Sequence, residues 1–440
     1  MTQREPACQR LLSSSEAVTA FDPKQTSQQF DRCLCFLLAW GFPSAMGERE
    51  SEVAGSRTTA VGSTTAAIAD AGQPRATRII FFVLGFAAGA WAPMVPFAKA
   101  RFQLDDGSLG LLLLCVGVGS VAAMPLAGAL AGRFGCRRVL VTAAVALACV
   151  FPLLVLADSV ALLGAALFLF GASIGSMDCV INMQAIVVER ERARPMMSGF
   201  HALFSLGGVG GAGAASGLFG AGAAEWIAAI LVSIGVLIAT LVAWPGLLAR
   251  SEEGAGLTFA LPHGVVVLIG LFCFVVFLTE GSALDWSAVY MRTVRGSSPG
   301  VAGLAYAAFS AAMTGGRLVG DRIVGRVGRR RTVAAGAIAA ASGLTIATLG
   351  PDWPAVVAGY ALVGAGCANI VPILFTLTGR QAAMPESAAV ASVSVLGYAG
   401  ILAGPAAIGL VAGMSSLTTA LLAVAALLIL VGAGAVRLPP

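Results

Sequence analysis

Asp178 and Asn182 stand four residues apart inside a long apolar run, so a helix through that run places them one turn apart on one face. A carboxylate beside an amide can hold a hydroxylated or cationic solute, or take up a proton. A charge inside a membrane span costs about 2.5–3.5 kcal/mol on insertion scales, so it normally faces a cavity or a partner. The simpler alternative is a helix–helix hydrogen bond made by Asp178. Gln184 lies well around the same helix and is a weaker candidate. Glu280 lies in the outer part of the predicted seventh span and is a second candidate, as a proton acceptor or as the outer part of a solute site. Asp285 beside Trp286 fits either an outer part of that site or a solvated helix end with its aromatic anchor. His201 could titrate near neutral pH, or it could bond a nearby group such as Glu189. Asn369, three residues before Pro372, would offer an amide where the helix is disturbed. Tyr398 and Trp91 are possible cavity walls, although aromatics more often pack.

Other chemistries find little support. The two histidines, His201 and His263, are too few and too isolated for a metal cage. The nine cysteines form no CxxC pair, and those in apolar runs are expected to be small buried hydrophobes. No phosphate loop and no catalytic triad is visible, which argues against an ATP-driven pump and against an enzyme. No cofactor and no metal is expected. The formal charge of +5 comes mostly from arginines between apolar runs, which is not the footprint of a nucleic-acid binder.

The elements that must carry these residues follow from composition. Of the 440 residues 58% are hydrophobic and only 11% charged. A water-soluble core cannot absorb that excess, whereas a bilayer can. The 55 glycines suit helices that approach closely in lipid. The expected fold class is an all-α polytopic membrane protein with twelve transmembrane helices. The predicted spans are 78–98, 108–131, 139–157, 160–188, 197–220, 223–245, 263–291, 300–323, 332–350, 354–378, 389–412 and 416–436, each long enough for a core of about 30 Å. Residues 1–75 are polar and are expected to form a disordered cytoplasmic tail, or to include a misplaced start with Met46 as the initiator. Residues 76–246 form one six-helix bundle, 247–261 a cytoplasmic linker and 262–440 a second bundle.

Two loops match. Gly132-Arg133-Phe134-Gly135-Cys136-Arg137-Arg138 follows the second span, and Gly325-Arg326-Val327-Gly328-Arg329-Arg330-Arg331 follows the eighth. Both spell G-R-x-G-x-R-R at an offset of 193 residues, so the halves are a pseudo-symmetric duplication. Loops after even-numbered spans hold most of the arginines, which predicts that they and both termini are cytoplasmic. Loops after odd-numbered spans carry only Lys99, Arg101, Arg292 and Arg295. Topology explains the number of arginines but not the repeated pattern. Gly132, Arg133, Gly135, Arg137, Arg138, Asp321, Gly325, Arg326, Gly328, Arg329 and Arg330 are therefore assigned to conformational gating.

On these motifs the chain resembles the major facilitator superfamily over roughly residues 78–436. That family carries G-x-L-x-D-R-x-G-R-R after its second span. Here Gly132 and Gly325 occupy the acidic position, and Asp321 stands four residues before the second slot. The stretches Met196 to Gly207, Glu280 to Tyr290 and Gly366 to Phe375 look like a bacterial subgroup related to fucose-permease-type sugar transporters. The resemblance implies alternating access in a bacterial inner membrane and a secondary transporter of a small polar solute such as a sugar. It implies protons and the lipid bilayer as partners, and a monomer. The alternatives are a drug or metabolite efflux transporter, and a membrane sensor that keeps the transporter fold.

Overall fold

The computed structural model describes residues 60–104, 106–249 and 260–439, with side chains from Gly72 onward except at 106, 107, 299 and 300. The chain is a polytopic membrane protein of twelve transmembrane helices. The first six are α1 (Ala60–Trp91), α2 (Asp106–Phe134), α3 (Cys136–Val150), α4 (Val160–Arg192), α5 (Met197–Gly220) and α6 (Glu225–Ala243). The second six are α7 (Val265–Thr293), α8 (Leu304–Val327), α9 (Arg329–Leu349), α10 (Trp353–Cys367, resuming at Ile370–Thr378), α11 (Glu386–Met414) and α12 (Leu417–Gly434). Among the described residues, eleven helices are long and apolar enough to cross a membrane on composition alone. The twelfth, α8, carries Arg317, Asp321, Arg322 and Arg326. Its charge is tolerable because both Arg317 and Asp321 find partners on neighbouring helices.

Most of the predicted tail, residues 1–75, lies outside the described residues. Its last part is the start of α1, which begins at Ala60. The alanine-rich run there favours continuing the helix outward from the span. Of the predicted linker 247–261, residues 250–259 lie outside the described residues. Its beginning is packed: Leu247 is buried, and the Arg137 amide donates to the Leu248 carbonyl at 2.8 Å.

Glycine has an evident reason at two turns. Gly135 and Gly328, the second glycine of each repeated motif, sit at φ 84°, ψ 155° and φ 85°, ψ 155°. Each forms a one-residue break between two antiparallel helices, in a region closed to most L-residues. Close approach explains other glycines. A Cβ on Gly85 or Gly89 of α1 would lie 2.0 or 2.1 Å from the carbonyl oxygens of Phe204 or Gly208 in α5. One on Gly207 or Gly211 would lie 2.2 or 2.0 Å from those of Phe82 or Phe86. In the second half, one on Gly400 of α11 would lie 2.2 Å from the Phe274 carbonyl of α7. Close approach is thus made at Gly207, Gly211 and Gly400, whereas Gly213 and Gly217 meet open space.

Between the halves, α2 packs along α11 and α5 along α8, with the second piece of α10 against α4 and α5. These seams position the candidate site.

Candidate functional site

At mid-depth, about 15–22 Å along their helices from the arginine-rich face, sit Asp178, Glu280, Arg317 and Tyr398. They form two groups. In the first, the Asn182 amide donates to the Asp178 carbonyl at 2.9 Å and to its Oδ1 at 3.3 Å. Asn182 Oδ1 lies 3.2 Å from His201 Nε2. His201 is walled by Phe81, at 5.1 Å between ring centroids, and by Phe375 of the other half, at 6.1 Å. Tyr398 of α11 stands near the Asp178 carboxylate across the seam. Asp178, Asn182 and His201 thus belong to one buried network that ends on the opposite half.

In the second group, Arg317 Nη2 lies 3.6 Å from Glu280 Oε1. Arg317 Nη1 donates to Ser205 Oγ of α5 at 2.9 Å, and Nε donates to the Ala368 carbonyl at 3.4 Å, where α10 is interrupted. Arg317 is 5% exposed, and removing its counter-charges would strand a cation in the bundle. The sequence reasoning missed Arg317, although the insertion-cost argument applied to Asp178 applies to it equally.

The other candidates fall elsewhere. Asp285 is exposed, and Trp286 packs on Gly409 of α11. The Asn369 amide donates to the Gly316 carbonyl at 3.2 Å, and its Oδ1 lies where a Cβ on Gly320 would sit, so it packs α10 onto α8. Gln184 donates to Thr77 Oγ1 at 3.0 Å and accepts from the Leu248 amide at 3.1 Å, which ties three segments of the first half together.

At the arginine-rich face the α5 N-terminus meets two carboxylates. The first four amides of a helix have no partner within it. Glu189 Oε2 accepts from Met196 and Met197 at 2.8 and 2.9 Å. Asp321, from the other half, accepts from Ser198 at 3.0 Å and Gly199 at 2.9 Å. Glu189, offered by the sequence as a partner for His201, thus caps α5, and Asn182 bonds the histidine. Glu189 Oε1 also faces Arg329 Nη2 of the other half at 3.9 Å. Arg190 pairs with Glu386 at the start of α11 and donates to the Gly379 carbonyl at 2.7 Å.

The repeated arginines act mainly inside each half. Arg137 donates to the carbonyls of Leu247 at 2.8 Å and Pro245 at 3.3 Å, just past α6. Its counterpart Arg330 donates to the Leu438 carbonyl at 2.5 Å, just past α12. Gly132 is buried at the end of α2, and Gly325 meets open space. Arg133, Arg138 and Arg326 are exposed. Of the residues the sequence assigned to gating, Asp321 and Arg329 are the ones whose polar contacts cross the seam. At an offset of 193 their counterparts are Gly128 and Cys136, so crossing occurs where the two copies differ. Gly128 instead packs directly on Ala391 and Ser387 at the start of α11.

The Major Facilitator Superfamily model matches residues 79–269 and 268–440. An uncharacterized MFS-type transporter of Yersinia pestis is 50% identical over 364 residues, covering 82% of this chain and 95% of the relative. The uncharacterized transporter y4wD of Sinorhizobium fredii is 37% identical over 336 residues, covering 76% and 89%. In fold, the chain is similar to the fucose:proton symporter FucP of E. coli, with a TM-score of 0.66 at 16% identity over 83% of this chain and 98% of that one. The chain belongs to the Major Facilitator Superfamily.

Proposed function

We propose that this protein is a proton-coupled secondary transporter of a small polar solute, of the hydroxylated, sugar-like class, working by alternating access. The observation that carries this is the placement of an acid, Asp178, at mid-depth by the seam between the halves, in a hydrogen-bonded network with Asn182 and His201 whose imidazole stacks on Phe375 of the opposite half. A second acid, Glu280, stands at similar depth beside Arg317. Carboxylates with hydroxyl, amide and guanidinium neighbours suit hydroxylated solutes, which both donate and accept.

The arginine-rich face is the cytoplasmic one in this reading, with both termini inside a bacterial inner membrane. The structure then represents a state closed toward the cytoplasm. Asp321 on the α5 amides, Arg329 near Glu189 and Arg190 with Glu386 hold that side shut. Farther along the α5–α8 seam, Gly213, Gly217 and Gly315 have open space. The fold likeness to a fucose:proton symporter is compatible with this class and does not choose the solute. One chain supplies both halves of the pathway, so a monomer suffices, and no enzymatic step is required.

The test is uptake of labelled polyols and sugars into proteoliposomes with and without an imposed pH gradient. Uphill accumulation that collapses with a protonophore is expected. Asp178→Asn should lose accumulation and keep solute exchange. If Asp178→Asn accumulates like the parent while only Glu280→Gln fails, the proton belongs to Glu280. Accumulation indifferent to the proton gradient in the parent would rule out coupling.

A further inference from the structure

Pro372 stands four residues after Ala368 in α10. A proline has no amide hydrogen, so the Ala368 carbonyl lacks the donor that a continuous helix would give it. Arg317 Nε supplies that donor at 3.4 Å. The Asn369 amide ties the same break to the carbonyl of Gly316, the residue before Arg317, at 3.2 Å. From the opposite half, the Ser205 hydroxyl donates to the His201 carbonyl at 3.3 Å and keeps a lone pair for Arg317 Nη1 at 2.9 Å. The guanidinium is thus fixed from two sides. These bonds occupy two of its five N–H donors.

What the fixed guanidinium faces is incomplete. Among the described residues, Nη2 makes no hydrogen bond, and its nearest counter-charge is Glu280 Oε1 at 3.6 Å. That oxygen is buried and has no hydrogen-bond partner either. Buried polar atoms are nearly always paired, so an unpaired donor beside an unpaired acceptor calls for a third group. The group has to donate to the carboxylate and accept from the guanidinium. A hydroxyl does both through one oxygen, whereas an ammonium only donates and a carboxylate only accepts. The Glu280 side chain is 18% exposed against 6% for Arg317, so the pair is approached from the Glu280 side.

We propose that Glu280 and Arg317 form a subsite for one hydroxyl of the solute, which donates to Glu280 Oε1 and accepts from Arg317 Nη2. The inference rests on the polar-solute reading given above and deepens it: the second acid serves recognition, and the proton is left to Asp178. The surroundings of the two acids differ accordingly. Glu280 faces a permanent cation, and neutralising it would strand that charge in the bundle. Among the described residues Asp178 has no ion-pair partner, and its carboxylate accepts from the Asn182 amide. Ser205 and the Ala368 carbonyl are positioning groups, since they touch the guanidinium and not the solute.

The experiment couples single hydroxyls of a sugar to these two side chains. Protein in lipid nanodiscs is screened by thermal unfolding against hexoses, pentoses and alditols. Dissociation constants are then measured by titration calorimetry for the best binder and for its monodeoxy and monodeoxyfluoro analogues, one position at a time. In the parent, one position should stand out: losing its hydroxyl weakens binding about ten- to hundredfold, the worth of hydrogen bonds to charged groups. Fluorine at that position should not restore binding, because it cannot donate. Glu280→Gln keeps the shape but offers a neutral acceptor, and should reduce the discrimination to about three- to tenfold. Glu280→Leu/Arg317→Met replaces the ion pair by apolar side chains, an exchange that buried pairs tolerate, and should reduce it to about twofold or less. Discrimination that survives unchanged in both variants overturns the proposal and leaves the transport reading standing; a water molecule between the two side chains would give that result. A parent for which every hydroxyl counts alike overturns it as well. A parent that neither binds nor takes up any polyol refutes the polar-solute reading and the subsite with it.

Discussion

The Glu280–Arg317 pair shows what single residues contribute. Arg317 is nearly buried and makes three polar contacts, of which the one to Glu280 is the longest at 3.6 Å. A loosely made pair inside a bundle adds little stability, but removing one member leaves the other uncompensated, at a cost of about 3–5 kcal/mol. Arg317→Gln should therefore lower the thermal unfolding midpoint in detergent more than the double variant Glu280→Gln/Arg317→Gln does. Thermal melts of the two singles and the double close the cycle. A double variant that loses the full sum of the two singles would show that the pair is not coupled. At this scale only part of the site was legible in the sequence. Asp178, Asn182 and His201 could be found because each is a polar residue in an apolar run, and the structure joins them in one network. Arg317 was equally visible as a charge in a predicted span, but arginines drew attention to loops. The approach of Tyr398 to Asp178 was not legible, because it follows from three-dimensional packing alone.

Among the elements, the repeat mainly makes each half a firm body. Arg137 and Arg330 tie the start of α3 and of α9 to the carbonyls that follow α6 and α12. A second pair does the same on the opposite face. Arg101 donates to the carbonyls of Val155 and, at 3.0 Å, Leu154, and Arg295 donates to the Thr348 carbonyl at 2.7 Å. These two arginines were exceptions to the charge bias that orients the chain. Their work is to hold the ends of the third and ninth spans, so they are no evidence against the orientation. The glycine contacts between α1 and α5 lock the same body from inside. Gly207→Ala would drive a Cβ to 2.2 Å from the Phe82 carbonyl, which a rigid helix backbone cannot yield cheaply. It should sharply reduce the monodisperse fraction in size-exclusion chromatography, whereas Gly213→Ala, facing open space, should behave like the parent. Equal behaviour of the two variants would mean that the α1–α5 contact is not this close. The number of glycines was legible as a sign of close helix packing, but not which of them touch, since small-residue spacing alone does not fix the crossing point of two helices.

For the whole molecule, the question is what holds one face shut while the other opens. The duplication was legible from two seven-residue loops, and the fold followed from it. The gate proposed above was not, because it lies where the two copies diverge: Asp321 opposite Gly128, and Arg329 opposite Cys136. Asp321 spans the halves by accepting from two amides at the α5 N-terminus, where a negative charge also meets the positive end of the helix dipole. Glu189 caps the same terminus from within its own half, so α5 keeps two capped amides whatever the halves do. At this helix end, opening costs only the Asp321 share, a reversible increment rather than an unfolding of the terminus. Asp321→Asn keeps the shape and removes the charge, leaving amide contacts worth about 1–2 kcal/mol less. The balance should move about five- to thirtyfold toward the state open at the arginine-rich face. A cysteine at Thr376, which lines the small cavity of this gate with Glu189, Asp321 and Arg329, reports the change. Its alkylation by a membrane-impermeant maleimide should accelerate by a similar factor in Asp321→Asn over the same Thr376→Cys background, and only when the reagent is supplied on the arginine-rich side. An unchanged rate would mean that Asp321 caps a helix without latching the halves, and that the hold lies with Arg190 and Glu386 instead.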